Sequence, residues 1–163
     1  MPGHPSAGPE PVILPGHLPV PEDVDCIMLV MSEAFDPHYR EAWTRRQVED
    51  AMRIGNCDAL LHFDAEQCIG FALSRRGFDE EELLLFAVRP AYRGRGHGAR
   101  LLRAYLNAAK ERGAERVYLE MREGNRAQQL YEGNGFQSIG RRADYYRTLT
   151  SSRIDAITYA RTL

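Results

Sequence analysis

Between Arg89 and Leu102 the sequence reads RPAYRGRGHGARLL, so that Gly94, Gly96 and Gly98 alternate with Arg93, Arg95 and His97. The run follows the apolar segment LLLFAV and leads into a helical pattern. A helix N-terminus carries unpaired N–H groups and about half a positive charge, and glycines before it let a ligand approach the backbone where a Cβ would collide. The chemistry that suits this stretch is the holding of a phosphate or pyrophosphate. A plain strand-to-helix turn with solvated arginines would need one glycine rather than three. The spacing G-x-G-x-G differs from the G-x-G-x-x-G of dinucleotide folds, and no G-K-[ST] marks a P-loop. Something other than NAD or ATP fits better.

The elements that must position this loop follow from pattern. Seven of the nine prolines lie in residues 1–21, so residues 1–11 are expected to be a flexible Pro/Gly-rich tail, with only Val12–Leu18 able to pair as an edge strand. From Pro21 the texture becomes helical. Pro21 suits the first helical position, Glu22 and Asp23 suit the positive end of the dipole, and Val24, Ile27, Met28, Met31 and Phe35 follow helical spacing. Thr44 and Gln47 have the spacing of a capping box that opens a second helix, which runs to about Arg53 and stops at Gly55–Asn56. Strands follow at DALLHF, CIGFALSRR and LLLFAV, the last apolar on both faces like a central, covered strand. Leu101, Leu102, Tyr105, Leu106 and Ala109 mark the helix after the glycines, and RVYLEM alternates as a strand. A short helix in RAQQLYEGN and strands at 137–145 and 154–161 complete the order βααβββαβαββ. This predicts one α/β domain over residues 12–163.

Composition narrows the function classes. At 163 residues with 44% hydrophobic content, the chain can bury one proper core. A net charge of −2 lacks the basic excess of a sequence-independent nucleic-acid binder, so an anion is held locally and direct nucleic-acid binding is not expected. No apolar run approaches a membrane span of ~18 residues. Cys26, Cys57 and Cys68 show no metal spacing and are expected to be reduced, which together with the absence of a secretory h-region suggests a cytoplasmic protein. No metal site is expected; His38 and His62 have no partners at ligand spacing.

RGRGHG matches the pyrophosphate loop of the GNAT superfamily of N-acetyltransferases. Taken with YLEMREGN, LYEGNGF and RRADYY, it resembles the RimI-type ribosomal-protein-alanine N-acetyltransferases over residues 21–163. The resemblance implies a single-domain GNAT fold, a mixed and mostly antiparallel sheet with helices on both faces, and acetyl-CoA as cosubstrate. It implies that the backbone of Phe86, Ala87 and Val88 pairs with the pantetheine arm and that Arg93, Gly94, Arg95, Gly96, His97 and Gly98 hold the pyrophosphate. Glu120 would be the general base, Tyr131 the acid that protonates the leaving thiolate, and Asn125 a pantetheine contact. The interval from Asn125 to Tyr131 is one residue shorter than usual in the family. Tyr145, Tyr146 and Trp43 are placed by the resemblance near the acceptor, a protein or peptide N-terminus.

The chemistry has its own demands. Transfer needs a neutral amine; an α-amine has pKa ~7.7–8 and a lysine ~10.4, a gap of about 3.5 kcal/mol that makes the α-amine easier for a modest base. Glu120 suits that base, and its alternative is a solvated strand carboxylate. The thiolate gains from a proton donor, and Tyr131 either serves or packs beside Leu130 as a core residue. Trp43 is equally readable as a core anchor, and His97 as a bystander beside the phosphates. No cysteine has a neighbouring base, so direct attack in a ternary complex is expected. Acetylation of a small amine or a lysine, and a CoA-binding module without turnover, are the competing readings.

Overall fold

A computed structural model describes residues 11–16 and 20–163. The expectation of a flexible tail falls on residues outside that range, apart from residue 11. The chain order is β1 (Val12–Gly16), α1 (Pro21–Ala34), α2 (Arg45–Arg53), β2 (Cys57–Asp64), β3 (Gln67–Arg76), β4 (Glu80–Val88), α3 (His97–Glu111), β5 (Arg116–Arg122), α4 (Gln128–Gly133), β6 (Gln137–Arg147) and β7 (Arg153–Thr162). Short 3-10 turns at Pro37–Tyr39 and Pro90–Tyr92 lie ahead of α2 and α3.

The local signals act as their chemistry requires. Pro21 is the first residue of α1, which buries Val24, Cys26, Ile27, Val30 and Met31. At α2 both halves of the capping box form: the Gln47 amide donates to Thr44 Oγ1 at 3.2 Å, and the Thr44 amide donates to Gln47 Oε1 at 2.8 Å. That satisfies two donors the helix itself cannot pair, for about 1 kcal/mol. The edge strand β1 spans Val12–Gly16 and pairs with Ala59–Phe63 of β2.

The seven strands form one sheet in the order β1-β2-β3-β4-β5-β7-β6. Every neighbouring pair is antiparallel except β4 and β5. Helices cover both faces. Val24, Ile27, Val30 and Met31 of α1 and Val48 and Met52 of α2 pack with Ala59, Leu61, Phe71, Leu73, Leu85 and Ala87. On the other face Leu101, Leu102, Tyr105 and Leu106 of α3 pack with Leu83, Val117, Leu119, Met121 and Tyr159. Strict alternation would put Leu83, Leu85 and Ala87 on one face. A register slip opposite Leu73/Ser74 adds Leu84 as an extra residue, so Leu83 turns to the α3 side while Leu85 and Ala87 lie under α1. Such a bulge bends its strand and re-aims the residues beyond it.

The parallel β4–β5 pairing holds only at Glu80–Glu82 against Arg116–Tyr118. Beyond the bulge the two strands diverge, and the sheet opens into a wedge.

The cysteines depart from expectation. Cys26 on α1 and Cys68 on β3 form a disulfide with their Cα atoms 5.7 Å apart, and Cys57 alone is free and buried. Both partners belong to the α1-side core, where packing brings together residues 42 apart in sequence. Among the described residues no helix is long and apolar enough to cross a membrane, and no group of acidic, histidine or cysteine side chains is arranged to hold a metal.

Candidate active site

The wedge between β4 and β5 is the centre of a continuous cleft of about 1240 Å³, walled by Leu83–Val88 on one side and Leu119–Arg122 on the other. Its direction of hydrogen bonding follows from alternation. The Arg89 amide donates across to Ile69 of β3 at 2.8 Å, so the polar groups of Val88 and Phe86 turn the opposite way, into the wedge. An extended amide-bearing chain laid there would complete the sheet as an added strand does.

At one end of the wedge lies the glycine loop. Gly94 and Gly96 have φ of 77° and 83°, a left-handed backbone that glycine adopts without penalty. Gly96 caps α3, whose first internal bond runs from the Arg100 amide to Gly96 oxygen at 3.1 Å. The amides of His97, Gly98 and Ala99 therefore have no acceptor within the helix. A Cβ on Gly98 would meet Leu130 Cδ2 at 3.4 Å, a tight fit against α4. Gly94, Gly96, Gly98 and Arg93 all line the cleft. The Arg93 guanidinium donates to Val88 oxygen at 3.2 Å and Ala34 oxygen at 3.4 Å, fastening the loop to β4 and α1. Burial first, and then the charge of Arg126, pushes its pKa down, so an anion at this end would relieve two crowded cations.

Two expected loop contacts lie elsewhere. Arg95 is exposed over the Tyr92 ring and does not line the cleft. His97 is buried, with its ring turned inward to His62, so its contribution to the loop is its backbone.

The reacting end is built from β5, α4 and β6. Glu120 on β5 lines the cleft; its Oε1 is buried with no hydrogen-bond partner, and its Oε2 is 3.9 Å from Arg142 Nη2. A carboxylate in a cleft wall with only this distant cation beside it can accept a proton from a bound amine. Tyr131 on α4 is 6% exposed, edge-on to Phe86 and Phe136 at centroid distances of 6.1 and 5.5 Å. Burial, with Glu41 second, raises its pKa far above the usual tyrosine value, so the phenol keeps its proton. Tyr146 lines the cleft near both carboxylates; burial, then Glu120 and Glu41, raises its pKa likewise.

Asn125 lines the cleft, and its Oδ1 accepts from the Ala127 amide at 2.9 Å. Trp43 packs on the α1-side core and also lines the cleft. Tyr145 is 53% exposed and stands outside the cleft lining, edge-on to Tyr146.

Sequence reasoning missed a second layer. Arg122 donates to Glu41 at 2.7 Å and lies over the Tyr39 ring at 3.5 Å, tying β5 to the loop between α1 and α2. Glu41 and Arg122 are 81 residues apart, so no local pattern announces them. Arg126, on the cleft rim, was legible only as the basic neighbour of Asn125.

One continuous cleft thus joins the open edge of β4, the unpaired α3 amides, Arg93, Arg126 and the Glu120 carboxylate, a set of groups that suits an extended ligand with an anionic end. Comparison with known proteins agrees. The model of the acetyltransferase (GNAT) family matches residues 28–136. A [ribosomal protein bS18]-alanine N-acetyltransferase of Haemophilus influenzae is 38% identical over 101 residues, covering 62% of this chain and 69% of that one. The N-alpha-acetyltransferase RimI of Mycobacterium tuberculosis is 46% identical over 98 residues, 57% and 58% of the two chains. The crystal structure of the ribosomal-protein-S18-alanine N-acetyltransferase from Escherichia coli superposes with a TM-score of 0.80 at 25% identity, covering 93% of this chain and 94% of that one.

Proposed function

The chain belongs to the acetyltransferase (GNAT) family, and on that premise we propose that this acetyl-CoA-dependent N-acetyltransferase acts on the α-amine of a protein N-terminus, as the ribosomal-protein-alanine relatives do. The observation that carries the reading is Glu120, a part-buried carboxylate with one oxygen unpartnered, lining a cleft that runs unbroken to the glycine loop.

Acetyl-CoA supplies an acetyl group activated as a thioester, whose sulfur leaves more readily when protonated. Phe86 and Val88 offer backbone groups to the arm, and the amides of His97, Gly98 and Ala99 offer donors to the diphosphate. Glu120 takes the proton from the acceptor ammonium, directly or through one water, and frees the nitrogen lone pair for attack. Tyr131, held protonated by burial, gives its proton at the sulfur. Tyr146, Tyr39 and Trp43 narrow the acceptor end, and the Arg122–Glu41 pair fixes the loop that carries two of them. An α-amine suits this centre because an ordinary carboxylate has about 3.5 kcal/mol less work to do on it than on lysine. A cytoplasmic location goes with a ribosomal-protein acceptor; the cysteines lend it no support, since two of them are joined.

The test is CoA release with peptides beginning in Ala, Ser and Met beside lysine-containing peptides and free small amines. Preference for an N-terminal α-amine supports the reading. Faster turnover of a blocked-N-terminus lysine peptide, or of a small amine, overturns it.

A further inference from the structure

Directly behind the first turn of α3 lies a buried polar pair with no part in the chemistry above. His62 of β2 is 0% exposed and His97 of α3 is 9% exposed. His62 Nε2 is 3.1 Å from His97 Nδ1, and His62 Nδ1 makes a long 3.5 Å contact with the carbonyl of Val12 on β1. A carbonyl only accepts, so His62 carries its proton on Nδ1 and presents a lone pair at Nε2. His97 must then donate from Nδ1, which leaves the lone pair of its own Nε2 without a hydrogen-bond partner among the described residues. A further proton placed on that Nε2 breaks neither existing hydrogen bond.

We propose that His62 and His97 form a proton-accepting pair behind the pyrophosphate loop, so that the chain takes up a proton as the diphosphate of CoA docks on the N-terminus of α3. The inference rests on the acetyl-CoA reading of that loop. His97 is the first residue of α3, so its backbone amide faces the anion while its ring forms the pair. A diphosphate brought to that amide adds negative charge within one residue of the ring, in a site where little water screens it. Burial and the nearby cations set the opposing bias in the free chain. The charged and titratable groups around the pair are Arg100 on α3, Asp64 on β2, and Tyr92, with Arg89 and Arg95 stacked on its ring. Burial first, with His97 and Arg100 adding to it, pushes His62 below the usual histidine value, against smaller upward pulls from Val12 and Asp64. Burial thus favours a neutral His62 in the free chain. His62 acts through His97 and is a positioning residue: it fixes the ring, and with it the first turn that offers the amides.

The experiment is calorimetry of CoA, and of dephospho-CoA whose missing 3′-phosphate removes the ligand's own titration near pH 6. Runs at each pH in two buffers of different ionisation enthalpy count the protons taken up. If the anion raises the pair's midpoint by half a unit to one unit, dephospho-CoA affinity increases roughly two- to sixfold from pH 8 to pH 6, the limit of roughly three- to tenfold being reached only below both midpoints. H97Q should abolish that increase and the uptake with it. H62Q should reduce both, and histidine ring signals of the unmutated chain, followed by NMR with and without dephospho-CoA, give the same midpoint shift free of any folding defect. Equal pH profiles in the unmutated chain and H97Q, or a ring midpoint unmoved by ligand, overturn the proposal while leaving the acetyl-CoA reading intact. Failure of both ligands to bind overturns the two together.

Discussion

Replacing Glu120 by Gln keeps the shape of the side chain and removes only its ability to accept a proton. The free Oε1 becomes an amide oxygen or nitrogen, and the distant contact of Oε2 with Arg142, 3.9 Å, costs little to lose. Of the two other carboxylates that line the cleft, Glu41 is held by Arg122 at 2.7 Å and Asp36 accepts from the His38 amide at 2.9 Å, so both are poorly placed to substitute. The deficit at pH 7 should therefore be the full value of one general base, ~10² to 10⁴ in rate, or about 2.7 to 5.4 kcal/mol. The recovery with pH has a distinct form. Without a base the rate follows the neutral fraction of the amine, which for pKa ~7.8 rises from roughly 14% at pH 7 to roughly 94% at pH 9. Glu120→Gln should thus regain about sevenfold on an Ala-starting peptide and then level off, whereas a lysine acceptor would still be gaining about tenfold per pH unit. The assay is initial-rate CoA release at saturating acetyl-CoA, beside calorimetry showing unchanged CoA affinity. Unimpaired rates in Glu120→Gln at pH 7 would refute the assignment and leave a solvated strand carboxylate.

Tyr131→Phe should lower turnover by a similar ~10²-fold or more, with a deficit that persists at high pH and shrinks when the thioester carries a better leaving group. Because burial raises the Tyr131 pKa, the unmutated enzyme should keep its rate as pH passes ~10, where an ordinary tyrosine ionises; a fall there would count against its burial as drawn. Gly96→Val forces a β-branched residue to φ of 83°, and should weaken CoA binding measurably by calorimetry while circular dichroism stays unchanged. Reducing the Cys26–Cys68 bond frees a loop with a sequence separation of 42, which chain entropy values at about 4 kcal/mol, readable as a lower urea midpoint with reductant than without. His62 has a folded pKa below its unfolded value, so its contribution to stability is complete above the unfolded ~6.5 and is lost as pH falls below it; H62Q should flatten the melting temperature between pH 7 and pH 5.

What could be read from the chain alone was what neighbours in sequence decide. The glycine loop, the Thr44–Gln47 capping box and the Pro21 helix start are set by residues within four positions of one another, and they appear where the pattern put them. What escaped is decided by packing across distance. Cys26 reaches Cys68 only because α1 lies on β3, and no spacing rule relates residues 42 apart. His62 was partnerless by the same logic, its partner being 35 residues on. The bulge at Leu84 sits within an uninterrupted run of leucines, where no apolar–polar alternation is present to betray a slipped register. Tyr145 and Tyr146 look alike in sequence, yet alternation along β6 sends one into the cleft and the other outside it.

The three-residue union of β4 and β5 has a consequence for how the molecule opens. Four strands lie on one side of it and three on the other, and among strand contacts only that short ladder joins them. Local unfolding should start there, with the amides of Phe86 and Val88 exchanging their hydrogens faster than those of the neighbouring β3. An occupant that pairs with both strand edges would act as a rivet between the two blocks. At a concentration of a hundred times its Kd it adds about 2.7 kcal/mol to global stability, and the slowing of exchange should be concentrated at the seam. A cosubstrate seated at that seam would serve as a structural strut for the length of each turnover, and release of product CoA would loosen the joint again.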